Sequence, residues 1–219
     1  MGPIAYMLIG MGIAAAIGLY LSNKAKQKKQ RDAARQAAVS GANIKNDITR
    51  VGSGGVLAIP HFTPGETGTF ETYVKSRNRY TQEGRGQWFE LICECKGRNV
   101  LVEWQKEGNS LYVTAGYEDE NPSIDRLNLT EADLIQFDEG QRQSFSWSGH
   151  TWTYEHSCER TYYENDGNSG EGFYAWEFSL PDETQYITIE KYEGDDGFEV
   201  YHQHRIDANK INVYDAGSA

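Results

Sequence analysis

The stretch GQWFELICECKG, residues 86–97, alternates: Trp88, Glu90, Ile92 and Glu94 fall on one face, Phe89, Leu91, Cys93 and Cys95 on the other. Neighbours two apart share a face of a strand, so this period of two predicts β structure and not helix. RNVLVEWQ (98–105), SLYVTAGY (110–117), HTWTYEHSCERTYYE (150–164), EGFYAWEFSL (171–180), TQYITIEKYEG (184–194) and GFEVYHQHRI (197–206) read the same way. Gly-rich or acidic turns separate them: KEGN (106–109), ENDGNSGEG (164–172), LPDET (180–184) and EGDDG (193–197). The many Tyr and Trp residues suit pleated surfaces, where aromatic cross-strand pairs stabilise a sheet. One helical signal interrupts the strands, NLTEADLIQF (128–137), in which Thr130 caps a single turn before Leu134.

The strands are organised by an internal repeat. TYVKSRNR (72–79) and TYEHSCER (153–160) share TYxxSxxR at an offset of 81 residues. Each copy leads into an aromatic acidic strand, QWFELICE or FYAWEFSL, and then into one ending at an EG turn, WQKEG or EKYEG. Order and motif together predict two similar antiparallel meanders, about 68–117 and 143–206, closing on each other as a sandwich or barrel.

Residues Pro3 to Ser22 carry no charged side chain and no His. About 20 residues at roughly 1.5 Å each cover a hydrocarbon core of about 30 Å, so the run predicts a single transmembrane helix. Nothing basic precedes it, whereas Lys24, Lys26, Lys28, Lys29, Arg31 and Arg35 follow, which holds the C-terminal side in the cytoplasm and sends the N-terminus across. A secretion signal has the reverse order, although Ala14, Ala15 and Ala16 would suit a peptidase. Gly10, Ala14 and Gly18 recur every four residues and form a small-residue ridge suited to close packing against another membrane helix. The six basic residues then lie along a helical stalk at headgroup height, each contributing on the order of 1 kcal/mol toward anionic lipid. The predicted organisation is therefore a membrane helix and basic stalk over 1–40, a flexible linker over 41–56, and an acidic β domain over 57–219.

Charge separates stalk from domain. Residues 1–40 hold six of the 21 basic and one of the 32 acidic residues, leaving 15 against 31 on the rest. Such a domain repels phosphate backbones and lipid headgroups, so nucleic acid is not its partner and flat membrane docking is disfavoured.

At this point the chain resembles a known family. The aromatic acidic WFEL, the returning VLVEW, FSWSGHTWTYEHSCER, YAWEFSL and YITIEKYEG are similar to the bacterial domain of unknown function four-one-seven-eight, over approximately residues 47–215. The resemblance implies a duplicated β fold in bacterial, often membrane-associated proteins, and it assigns no catalytic residue. With the anchor, it places the chain in a bacterial inner membrane, cytoplasmic or intracytoplasmic.

No catalytic, metal or cofactor pattern is read. His202 and His204 stand at i, i+2, as do Cys93 and Cys95, yet zinc needs three or four converging ligands at spacings such as CxxC or HxxxH. His61, His150, His156 and Cys158 complete that inventory; the histidine pair reads as surface and the strand cysteines as packing. Three cysteines suit a reducing compartment and no disulfide framework. EDEN, ENDG, YEGDDG and FDEG match no calcium loop and read as solvated turns. GSGG (52–55) lacks the Lys and Ser or Thr of a phosphate loop and reads as linker. Glu90, Glu94, Glu103, Glu177 and Glu190 recur in strands without the pattern saying whether any two face each other. Aromatic residues that cluster exposed, among Tyr73, Trp88, Trp104, Trp147, Trp152, Tyr154, Tyr174 and Trp176, would mark a binding face. The function expected is a non-catalytic, membrane-anchored accessory or scaffold subunit of a larger membrane complex, such as an energy-transducing one. The alternative is a free membrane-tethered sensor or ligand-binding module.

Overall fold

The computed structural model describes residues 47–118, 123–215 and 217. The expected membrane helix, the Gly10, Ala14, Gly18 ridge and the basic stalk lie outside the described residues. Among the described residues no helix is long and apolar enough to cross a membrane.

The strands are β1 (Val56–Ile59), β2 (Phe70–Gln82), β3 (Gly86–Cys95), β4 (Arg98–Glu107), β5 (Ser110–Tyr117), β6 (Ser144–Trp147), β7 (His150–Tyr163), β8 (Glu171–Ser179), β9 (Gln185–Tyr192), β10 (Glu199–Ile206) and β11 (Asn212–Asp215). All pair antiparallel in one sheet, in the order β11-β1-β2-β3-β4-β5-β10-β9-β8-β7-β6, and β2 also pairs with β7. That extra pairing closes a ring of eight strands, two four-stranded meanders joined first strand to first strand and last to last. The all-β duplicated meander expected from the pattern is what is found, in its ring form.

Two long strands make the closure possible. Over 13 and 14 residues, β2 and β7 each serve two neighbours along one edge. Phe70–Tyr73 pair with β1, while Arg79–Thr81 pair with Thr161–Tyr163 of β7. At the other seam, Val113–Ala115 of β5 pair with His204–Ile206 of β10. Each seam holds three residue pairs, against six to nine at every other junction of the ring. The seams are the thin places in the hydrogen-bond network.

Two hairpins show why the chain turns where it does. Lys96 and Gly97, between β3 and β4, both have positive φ, 52° and 83°, the geometry of a two-residue turn whose twist matches the strands. Ser148 and Gly149 repeat it between β6 and β7, at 52° and 78°.

The repeat is real in strand order, yet TYxxSxxR is out of phase with it. Irregularities in register fall between Val74 and Ser76 in β2 and between Tyr154 and His156 in β7, an offset of 80 and not 81. Equivalent motif residues therefore face opposite ways. Arg79 turns outward to Asp166 at 2.6 Å, while Arg160 turns into the ring.

The outward face of the ring is apolar and covered. Over the second meander, α1 (Glu131–Asp138) lays Leu134 and Phe137 on Phe145, Trp152, Phe178 and Ile187. Thr130 caps α1 through a reciprocal capping box with Asp133, as expected, but the helix runs two turns and not one. Over the first meander, Leu91, Cys93, Val100, Val102 and Ala115 are buried, and Phe62 packs edge-on to Tyr117 at 5.3 Å. Asp47 caps a 3-10 turn at Ile48–Arg50, and Ile48, Val51 and Val56 are buried. So the part of the expected linker that is described, residues 47–56, belongs to the folded body, because its apolar side chains complete a core.

Candidate functional site: the interior of the ring

The inward face of the same strands is polar. Register puts Asn78 and Tyr80 of β2, Trp88 and Glu90 of β3, and Glu103 of β4 on one face. On the other meander, Arg160 of β7, Phe173, Ala175 and Glu177 of β8, and Glu190 and Tyr192 of β9 share it. Contacts between strands that are not neighbours show that this face looks inward. Arg160 lies over Trp88 at 5.0 Å, Tyr80 meets Phe173 edge-on at 5.9 Å, and Gln203 Nε2 donates to Glu103 Oε1 at 2.7 Å.

One end of this interior is plugged by aromatic residues, Tyr80, Phe173, Tyr162 and Tyr192 among them. The other end opens as a cavity of about 550 Å³ where the β2–β3, β4–β5 and β8–β9 turns gather, marked by Arg85, Glu107 and Glu183. Below that rim the walls carry Trp88, Glu103, Thr114, Arg160, Glu177 and Gln203.

Electrostatics set the character of the interior. Glu90 and Glu190 are 4% and 6% exposed, and Glu103 is half-buried. Burial raises the carboxyl of Glu90 to about 8, with Glu103 beside it adding repulsion. Burial likewise lifts Glu103, and it lifts Glu190 well above the usual carboxylate range, with Glu103 and Glu90 adding to the rise. At neutral pH Glu90 is therefore an un-ionised acid, and in Glu103 and Glu190 burial works in the same direction, because a charge with no partner is costly to bury. Each is hydrogen-bonded. Glu90 accepts from Asn78 Nδ2 at 3.0 Å and from the Tyr80 hydroxyl at 3.3 Å, and Glu190 accepts from the Tyr192 hydroxyl at 3.0 Å. Glu103 is tied through Gln203, whose Oε1 accepts from the Thr114 hydroxyl at 2.8 Å.

Arg160, 7% exposed, is committed to Glu177, and its Nε also donates to Cys158 Sγ at 3.3 Å. Glu177 lies 3.3 Å from His156 Nε2, which is 3.0 Å from Arg85 Nη1. Burial holds His156 below its ordinary range, so this imidazole is neutral and Nε2 can accept from Arg85.

Four of the five strand carboxylates singled out from the sequence, Glu90, Glu103, Glu177 and Glu190, thus meet around one interior. Sequence reasoning missed the site because an alternating polar face reads as solvent-facing unless ring closure is known. The available signal was that this face carried Trp and Ile among its glutamates. Other expectations need correcting. His202 and His204 are not a surface pair: His204 is buried, their rings are 4.7 Å apart, and His202 packs against Trp147 and Trp152. Burial drives both imidazoles down to about 4. Two acidic turns are structural and not merely solvated. Asp166 of ENDG binds Arg79, and Asp138 of FDEG accepts from Trp176 Nε1 at 3.0 Å and from the Tyr154 hydroxyl at 3.2 Å. The strand cysteines Cys93 and Cys95 are buried and free, as packing residues should be. None of the eight aromatic residues considered for a binding face is exposed; among the described residues the exposed large apolar side chains are Tyr112 at 39% and Ile135 at 51%. Among the described residues no group of three or more His, Cys, Asp or Glu is arranged to hold a metal ion.

Fold and site together define an all-β ring with a hydrogen-bonding interior open at one end. The chain matches no protein-family model, no curated protein and no solved structure.

Proposed function

We propose that the protein is a non-catalytic, membrane-tethered binding module that takes a small polar ligand into the open end of its ring. The observation that carries this reading is the cavity of about 550 Å³, within the size range of small-molecule sites, walled by Trp88, Thr114, Arg160 and Gln203. A core has no need of such groups. Apolar residues of similar volume would stabilise the ring as well or better, so a polar interior that opens outward is a mark of use. The reading is one of binding because the thiol and imidazole beside the cavity's Arg160 and Glu177 have other partners. Cys158 is held by Arg160, and His156 stands between Glu177 and Arg85.

A second reading, an accessory subunit of a membrane complex, is favoured by the Gly10, Ala14, Gly18 ridge and the basic residues after it. Membership of domain of unknown function four-one-seven-eight stays a proposal resting on aromatic spacing.

One experiment addresses both readings. The full-length protein is purified from its own membranes in mild detergent, and bound small molecules and proteins are identified by mass spectrometry. The binding reading expects one small molecule near unit stoichiometry, lost from a Gln203→Leu variant. An empty wild type, or the same molecule on both proteins, overturns it. Stoichiometric membrane proteins that disappear when Gly10, Ala14 and Gly18 become leucine support the accessory reading, and their persistence counts against the ridge.

A further inference from the structure

The interior acids are wired to the thin places of the ring. Glu90 accepts from Tyr80, and Tyr80 is the central residue of the β2–β7 seam, paired with Tyr162. Glu103 accepts from Gln203, which accepts from Thr114, and Thr114 is the central residue of the β5–β10 seam, paired with Arg205. Each seam therefore has an interior carboxyl hydrogen-bonded to its middle, directly or through one amide.

We propose that ionisation of Glu90 and Glu103 loosens the two seams, so that proton loss widens the interior and controls access to it. This rests on the reading of the interior as a ligand site only for its consequence; the opening is a property of the ring.

The groups facing these carboxyls fix the direction of the effect. On the first meander they are Tyr80 from β2 and, at the rim, Tyr112 from β5, with Glu90 and Glu103 facing each other across β3 and β4. From the second meander come His156, Cys158, Arg160 and Tyr162 of β7 and Glu177 of β8. Tyr186, Glu190 and Tyr192 of β9, and Glu199, Tyr201 and Arg205 of β10, also face them, and Glu118, just past β5, adds repulsion to Glu90. Arg160 is the cation below the rim and is already paired with Glu177; Arg205 reaches Glu183 at 3.6 Å. His156 stays neutral and adds no positive charge. New carboxylates on Glu90 and Glu103 thus repel each other and Glu190, and Arg160, already paired with Glu177, offsets that repulsion only in part. Repulsion inside a closed ring is relieved most easily at junctions of three residue pairs.

Burial, by raising Glu90 to about 8, sets the opening just above neutral pH. Amide hydrogen exchange of the full-length protein in detergent, followed from pH 6.5 to 8.5, tests this. Residues 79–81 and 161–163, at the seam tied to Glu90, should exchange faster by about tenfold beyond the intrinsic base-catalysed rise, one pK unit corresponding to a factor of ten, and residues 113–115 and 204–206, at the seam tied to Glu103, should change in the same direction. The β3–β4 hairpin should follow the intrinsic rise alone. Glu90→Gln, isosteric and still able to accept from Asn78 and Tyr80, should quiet the β2–β7 seam only, and Glu103→Gln the β5–β10 seam only. Seams that track the hairpin in the wild type, or that respond equally to either variant, would overturn the proposal. Failure here leaves the co-purification result of the binding reading untouched, and an empty cavity there leaves this exchange pattern untouched.

Discussion

The two faces of the ring strands are both buried and are built on opposite principles. Outward, Leu91, Val102, Phe178, Ile187 and Ile189 are covered by other segments, with α1 over Phe178, Ile187 and Ile189, and are held by apolar burial that does not depend on pH. Inward, Glu90, Glu103 and Glu190 are held by hydrogen bonds and remain compatible with burial only while they keep their protons. The difference teaches that stability and responsiveness are divided between the faces. One face keeps the ring folded; the other lets it sense its contents.

The comparison can be broken first on the apolar side. Phe137→Ala removes the aromatic residue of α1 that packs on Phe178 at 4.9 Å and on Phe145. It should cost about 3–5 kcal/mol in denaturant unfolding, equally at pH 5 and pH 8. A pH-dependent loss would mean that the two faces are not separable.

On the polar side Glu90→Gln should act in the opposite direction. A carboxyl raised in the folded state contributes stability that is full below its unfolded value near 4.5 and is lost as pH rises through about 8. The wild type should therefore weaken between pH 5 and pH 8. The variant should be more stable than wild type at pH 8 by on the order of 1–3 kcal/mol and should show a flatter profile in thermal unfolding. A variant less stable than wild type at pH 8 would show that Glu90 is needed as a charge.

Arg160→Met sharpens the comparison. Glu177, its partner, is a third exposed and keeps access to water, so the loss should be about 1–2 kcal/mol, below the cost of fully orphaning a buried charge. A loss as large as that of Phe137→Ala would mean that the pair is structural. Smallest is Thr130→Ala, which removes the cap of α1 and should cost about 1 kcal/mol, with Thr130→Ser retaining most of it.

Much of this architecture was legible in the sequence. The period-two pattern gave the strands, the order of similar segments gave two meanders, and Thr130 marked α1. What escaped was whatever depends on closure. Alternation says that Glu90 and Leu91 face apart, but not that β2 bends back to pair with β7 and encloses the polar face. TYxxSxxR was misleading for a related reason: a one-residue difference in where β2 and β7 break register sends Arg79 outward and Arg160 inward. His202 and His204 looked like surface residues because nothing in their own strand reveals that Trp147 and Trp152 cover His202.

The central claim, that the ring encloses un-ionised glutamates, is tested most directly by infrared difference spectroscopy in the carbonyl stretch of protonated carboxylic acids at pH 7. The account predicts bands in the wild type that Glu90→Gln and Glu190→Gln each reduce, the Glu90 contribution fading as pH passes about 8. A wild-type spectrum at pH 7 showing ionised carboxylates alone would contradict it.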